Sequence, residues 1–126
     1  QTTCVRTGKL RVSSVWYEDT DLDLYVEVPG GETLFWEARN VEGGIYDFHN
    51  CTGKCENPGP YVENVFFEND VQEGTYKVWV VHEQARAATS FEFEVEYEGE
   101  RLNFAGDVGN ERGAESAVFE FTVDGD

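Results

Sequence analysis

The chain has 126 residues, 40% apolar and 14% aromatic, which is one domain's worth of globular sequence and excludes a disordered chain. Its longest uninterrupted apolar run is Val78-Trp79-Val80-Val81, far short of the roughly 20 residues of a membrane-spanning helix. The formal charge of -17, from 26 acidic against 9 basic residues, repels phosphate backbones, argues against nucleic acid and membrane insertion, and attracts cations.

The hydrophobic pattern repeats every two residues, the period of a strand, along one domain spanning residues 1–126. Residues 1–8 read as an extended N-terminal arm. Leu10, Val12 and Trp16 then suggest a first strand. Leu22, Leu24, Val26 and Val28 form an inward row that ends at the turn Pro29-Gly30-Gly31. A short strand is expected over Thr33 to Glu37, a loop at Gly43-Gly44, and another at Asn57-Pro58-Gly59-Pro60. Val62 to Phe67 follows as a short strand, and Glu73-Gly74 reads as a hairpin turn. Tyr76, Val78 and Val80 make a further inward row, with Trp79 and Val81 opposite. Glu83 to Ala88 can hold one helical turn. The segment Phe91 to Tyr97 alternates aromatic or Val with Glu, giving a half-buried strand with one wet face. Glu98-Gly99 is a second hairpin signal, leading to a short strand over Arg101 to Phe104. Phe119, Phe121 and Val123 form the last inward row. Val outnumbers Leu 16 to 5, a β-branched bias. Seven to nine short strands of this kind predict an all-β, antiparallel sandwich with jelly-roll or Greek-key connections. A closed barrel is the alternative, and the wet Glu faces favour two packed sheets.

The chain contains no Met and begins with Gln1, consistent with a secreted protein whose leader has been removed. Its Cys residues are Cys4, Cys51 and Cys55. Cys51 and Cys55 enclose a short Gly-containing loop and are expected to form a disulfide, leaving Cys4 to join another chain. The rivals are Cys4 bonded to one of them, and a zinc site using His49. Asn50-Cys51-Thr52 is an N-glycosylation acceptor pattern at Asn50.

Glu18-Asp19-Thr20-Asp21-Leu22-Asp23-Leu24 is the stretch richest in chemistry. A two-residue period puts Asp19, Asp21 and Asp23 on one side while Leu22 and Leu24 point inward. Carboxylates so close repel unless a cation screens them, and calcium takes six to eight oxygens in flexible geometry. Asp47, Glu63 and Asn64 offer further oxygens. A solvated acidic strand end is the alternative.

The ordered segments DLDLYVEVPGGE, LFWEA, GGIYDFHN, VENVFF and EGTYKVWVVH resemble a family of secreted bacterial β-sandwich domains, with a DxDL…PxG…GGxxD…PEN…GTYxVxV pattern. That family is similar to pre-peptidase C-terminal domains and to peptide-binding domains of adhesins. The resemblance spans about residues 14–82. It implies a jelly-roll-like sandwich holding Ca2+ near the DxD strand, with Asp21, Asp23, Asp47, Glu63 and Asn64 at the matching positions. His49 stands where the family often has a second Asp.

No GxSxG elbow, HExxH or P-loop is present, and His82 reads as a rim residue at a strand end. Trp16 and Trp36 read as core residues. Trp79 and Tyr25 are candidate ligand-contacting aromatics, because ring faces can stack on sugars. The function expected is a secreted, non-enzymatic, calcium-binding adhesive or structural surface module. Its expected partners are copies of itself, in an oligomer or filament, and a surface peptide or glycan. A carbohydrate-binding module is the first alternative and a small hydrolase the second.

Overall fold

The computed structural model describes residues 9–17, 21–35, 37–41, 43–47, 61–69, 71–84, 89–109 and 111–124, with Asp21, Asp47, Tyr61, Glu83 and Gln84 described by backbone alone. These residues form ten strands. They are β1 (Leu10–Trp16), β2 (Asp21–Glu27), β3 (Thr33–Leu34), β4 (Asn40–Val41), β5 (Gly44–Asp47), β6 (Tyr61–Phe67), β7 (Gly74–Gln84), β8 (Thr89–Tyr97), β9 (Glu100–Val108) and β10 (Phe119–Val123). One sheet has six strands in the order β4-β5-β6-β1-β8-β9, and the other has four in the order β10-β7-β2-β3. Every pairing is antiparallel. The molecule is therefore an antiparallel β-sandwich, as the two-residue period predicts. The chain passes repeatedly from sheet to sheet, so β1 comes to lie between β6 and β8.

The inward rows expected from the sequence meet between the sheets. Leu10, Val12 and Trp16 of β1 line up with Phe67 and Val65 of β6 and with Val95 and Phe91 of β8. Across from them lie Leu22, Leu24 and Val26 of β2 and Tyr76, Val78 and Val80 of β7, all buried. Aromatic rings lock the two layers together. Phe119 of β10 packs edge-on against Phe91 and Phe93 at centroid distances of 6.3 and 5.5 Å, and lies 5.5 Å from Phe104. Tyr76 stacks on Phe121 at 5.0 Å and meets Phe67 of the facing sheet edge-on at 6.0 Å. Burying one such ring contributes about 1.5–3 kcal/mol, so this interlocked cluster fixes how the sheets sit on each other. Two glycines make the fit possible. A Cβ on Gly44 would come within 2.6 Å of the Phe67 ring, and one on Gly106 within 3.1 Å of the Phe119 ring.

Several elements differ from the sequence reading. Glu73-Gly74 is not a hairpin, because β6 and β7 lie in different sheets. Gly74 instead takes a positive φ where its missing side chain clears Pro29. Glu83 and Gln84 continue β7, and no helix occurs among the described residues. The strand expected over Thr33 to Glu37 shortens to Thr33–Leu34, after which Phe35 and Ala38 form a tight bridge. Gly43-Gly44 is a turn, but it joins β4 to β5, a strand pair not anticipated. The strand expected over Arg101 to Phe104 runs the full nine residues of β9. The turn Pro29-Gly30-Gly31 is present, closed by Gly31 N–H donating to Val28 O at 2.8 Å.

The β8–β9 hairpin shows both its turn chemistry and its cost. Tyr97 faces Glu100, and the two residues between them, Glu98 and Gly99, have φ of 50° and 86°. Two positive φ values in a two-residue loop match the strand twist. Glycine adopts them freely, whereas a glutamate pays about 1 kcal/mol or more. The 3.7 Å pair between Glu98 and Lys9 is half exposed and offsets little of that. Glu98→Asn is therefore expected to stabilise the fold by about 0.5–1 kcal/mol in urea denaturation. An unchanged or lowered midpoint would show that the turn is not strained.

Candidate functional site

β6 presents consecutive side chains to opposite faces, and this divides the expected ligand set. Glu63 points between the sheets. Its Oε1 accepts the Leu24 backbone N–H of β2 at 3.0 Å and the hydroxyl of Tyr46 on β5. Leu24 sits where β2 has outrun the two residues of β3, so its N–H faces an open strand edge, and a carboxylate from the other sheet satisfies it. Asp23 is buried at 8% exposure, close enough for its charge to act on the Tyr46 hydroxyl. Burial, then the Glu63 charge, then the Glu63 hydrogen bond hold the Tyr46 phenol far above its ordinary range, with Asp23 adding to the effect. This is a protonated phenol that feels two carboxylates, and its bond to Glu63 joins β5 to β6 and, through Leu24, to β2.

Asn64 lies on the outer face of the six-stranded sheet. Its Oδ1 accepts a hydrogen bond from Ser13 Oγ at 2.7 Å, and Ser13 Oγ accepts one from Arg11 Nη1 at 2.6 Å. Arg11 Nη2 donates to Glu96 Oε1 at 3.3 Å and lies 3.8 Å from Glu94. Arg11, Ser13 and Asn64 are all buried, so β1 is closed to solvent on both faces along most of its length. The chain Asn64–Ser13–Arg11–Glu96 replaces the hydration these groups lose. Arg11, Ser13 and Glu96 of this chain line an open groove of about 820 Å³ over β1, β8 and β9, together with Glu92, Glu94, Arg101 and Asp107.

The structure thus brings Asp23 and Glu63 within electrostatic reach of Tyr46 and sends Asn64 to the opposite face. Glu63 and Asn64, either of which the sequence reading joins to the Asp residues, face opposite sides of β6. At the start of β2 the register with β7 shifts between Asp21 and Leu22, and the extra residue is Glu83 of β7. Asp47 is the register partner of Asn64. Among the described residues, no three His, Cys, Asp or Glu side chains converge to hold a metal ion. The side chains of Asp21 and Asp47 lie outside the described residues. Cys4, Cys51, Cys55, Asn50, His49 and Trp36 lie outside the described residues.

On the outer face of the four-stranded sheet, Phe35, Tyr25 and Trp79 stand in one cross-strand row. Tyr25 stacks on Phe35 at 5.0 Å and 11°, and on Trp79 at 5.4 Å and 15°. All three are partly exposed. Both faces of the Tyr25 ring are therefore covered by its neighbours. Trp16, by contrast, is core.

His82 is not at a rim. It is fully buried, its Nδ1 lies 2.7 Å from Gly109 O, and its backbone bonds to Ala114 and Gly113. Ser116 extends the same seam. Its Oγ accepts Val80 N–H at 3.0 Å and donates to Ala117 O at 2.9 Å. The segment before β10 thus stays attached to β7 where regular pairing lapses. The alternating sequence of β7 does contain the signal for this, since His82 continues the inward register of Tyr76, Val78 and Val80.

Tyr46 and Tyr76 give the fold a defined response to alkali. Burial pushes Tyr76 up to about 12, and Tyr46 is raised further in the same direction. Both folded values exceed the unfolded value near 10. The native state therefore holds more protons above that pH, and the stability these phenols contribute is complete below about pH 10 and lost as pH rises beyond it. Ultraviolet titration of the phenolates, compared with Tyr46→Phe, should show Tyr46 silent until the protein unfolds. The Tyr46→Phe chain should be about 1–3 kcal/mol less stable at neutral pH, because Glu63 loses a buried donor. Ionisation of Tyr46 near pH 10 with the fold intact would contradict this arrangement.

Comparison with known protein families, with curated proteins and with solved structures returns no match.

Proposed function

We propose that this chain is a secreted, non-enzymatic surface module, adhesive or structural, that recognises other surfaces with the outside of its sandwich. The reading keeps the kinship with pre-peptidase C-terminal and adhesin peptide-binding domains that its ordered motifs suggest. The observation that carries it is the Phe35–Tyr25–Trp79 row. Three rings are fixed in a stack on a rigid sheet, partly exposed, and flanked by the cross-strand charges Glu27, Lys77 and Glu120. An apolar stripe with a charged border on a rigid scaffold is suited to binding. The engagement of His82 and Glu63 in holding strands together supports the non-enzymatic reading over a small hydrolase. A polypeptide partner is favoured over a glycan, because the middle ring has no open face for a pyranose.

Calcium remains in the proposal on a narrower set than the motifs suggest. Asp23, with Asp21 of β2 and Asp47 of β5, is the set that would hold it, and the bonds Tyr46–Glu63 and Glu63–Leu24 link β5 and β6 to β2. The ion would supply positive charge between carboxylates and so stabilise the end of the sandwich. Ligand at a hundredfold over its dissociation constant adds about 2.7 kcal/mol. The melting midpoint should therefore rise with calcium relative to chelator, and Asp23→Asn should abolish the increment. Identical melting curves with no metal by elemental analysis would remove calcium from the account. For the binding surface, Trp79→Ala should leave the melting curve nearly unchanged and abolish capture of polypeptide surfaces. Strong binding to one glycan class on an array would instead favour the carbohydrate-binding alternative.

A further inference from the structure

The sandwich has four edge strands, and they are not alike. β3 and β4 have two residues each and β10 has five, whereas β9 has nine. β9 pairs in unbroken register with β8 from Thr89–Val108 to Tyr97–Glu100. Among the described residues nothing pairs with its other side. It contains no proline, its register has no bulge, and it is exposed from Glu100 to Asn103. Proline and bulges, two devices that protect a long edge, are therefore missing, and its protection rests on the charges of Glu100, Arg101 and Asp107; such an edge can template another strand whose charges complement its own.

The sequence of β9, Glu100-Arg101-Leu102-Asn103-Phe104-Ala105-Gly106-Asp107-Val108, is complementary to itself when reversed. If two copies pair antiparallel about a two-fold axis perpendicular to the sheet, the outer face of one continues into the outer face of the other. Residues opposite one another must then share a face. With Phe104 opposite its own copy, Arg101 faces Asp107 twice, once on each side of the axis. Leu102, which is 50% exposed, faces Gly106, which has no side chain to collide with it. Sliding the register by one step in either direction that keeps the faces matched removes both Arg101–Asp107 pairs. Arg101 is well exposed and only 4.0 Å from Glu96, and Asp107 is held on the outer face by Ser90 Oγ at 2.7 Å. Both charges are thus positioned and available.

We infer that β9 is a self-association edge, through which two copies join their six-stranded sheets into one continuous sheet. The inference goes beyond the proposed surface module: it takes up the expectation that copies of the chain associate, and it names the surface. Of the oligomer and the filament expected from the sequence it selects a closed pair, since a two-fold contact uses the same patch on both copies. The -17 charge of each copy opposes association at low salt. At about 0.15 M ionic strength the screening length is about 8 Å, which weakens the long-range repulsion more than the contact pairs.

The test is sedimentation of the full chain over a concentration series at about 0.15 M salt, with circular dichroism to confirm that each variant is folded. The native chain should dimerise. Arg101→Glu and Asp107→Lys, each alone, place like charges opposite each other twice and should weaken dimerisation by about tenfold or more. An equimolar mixture of the two single variants restores both opposite-charge pairs and should form a mixed dimer. A monomeric native chain would overturn the inference together with the self-association reading. A chain that still associates equally well with either charge reversed would overturn the β9 edge alone, and would assign association to another segment such as the N-terminal arm.

Discussion

Everything in this molecule follows from the alternation of its strands. A side-chain period of two assigns each residue to one face without compromise, so a sequence that alternates apolar and polar must bury one set against another sheet. Phe119 inserted among Phe91, Phe93 and Phe104, and Tyr76 between Phe121 and Phe67, are the local result. These contacts occur only in one register, because a slip of one residue would turn every ring outward. Gly44 and Gly106 fit the same logic, since each leaves room for a ring that would collide with any larger side chain.

The same alternation explains why the acidic residues part company. Glu63 and Asn64 are neighbours in sequence and opposites in space. Glu63 crosses the gap to Leu24 and Tyr46 and ties the sheets together, while Asn64 ends a polar chain that begins at Arg11. Among the described residues, Arg11 Nε and Ser14 Oγ are the buried side-chain atoms left without a hydrogen-bond partner. Buried polar groups cost little when satisfied and much when one partner is removed. The acid-rich part of the sandwich accordingly works as a set of joints between strands.

Much of this was legible in the sequence. The inward rows of β2, β7, β8 and β10 were readable residue by residue, because alternation over four or more residues has no competing explanation. So was the Glu98-Gly99 hairpin, whose turn type depends only on backbone sign. Features that depend on contacts between distant segments were not. Glu73-Gly74 resembled a hairpin because the local signal for a turn cannot say whether the next strand joins the same sheet. β4 and β5 were hidden by their brevity and by the glycines between them. The separation of Glu63 from Asn64 was missed because proximity in sequence was taken for proximity in space across the pleat of β6. His82 was misplaced because the end of an inward row was assumed to coincide with the end of the sheet, whereas the segment from Gly113 to Ser116 extends the pairing past it.

With the inner faces committed to each other, interactions with the outside fall to the outer faces and the edges. The aromatic row, the groove above Arg11 and the open side of β9 are what the sandwich has to offer, and they rest on a core that does not need to move. Residue-resolved amide hydrogen exchange tests this division most directly. The account predicts that amides of β1, β2, β7 and β8 exchange only through global unfolding. It also predicts that the outward amides of β9 exchange fast in dilute solution and slow down as concentration rises. Protection of β9 equal to that of β8 in the dilute monomer, or fast exchange in β1 and β7, would contradict it.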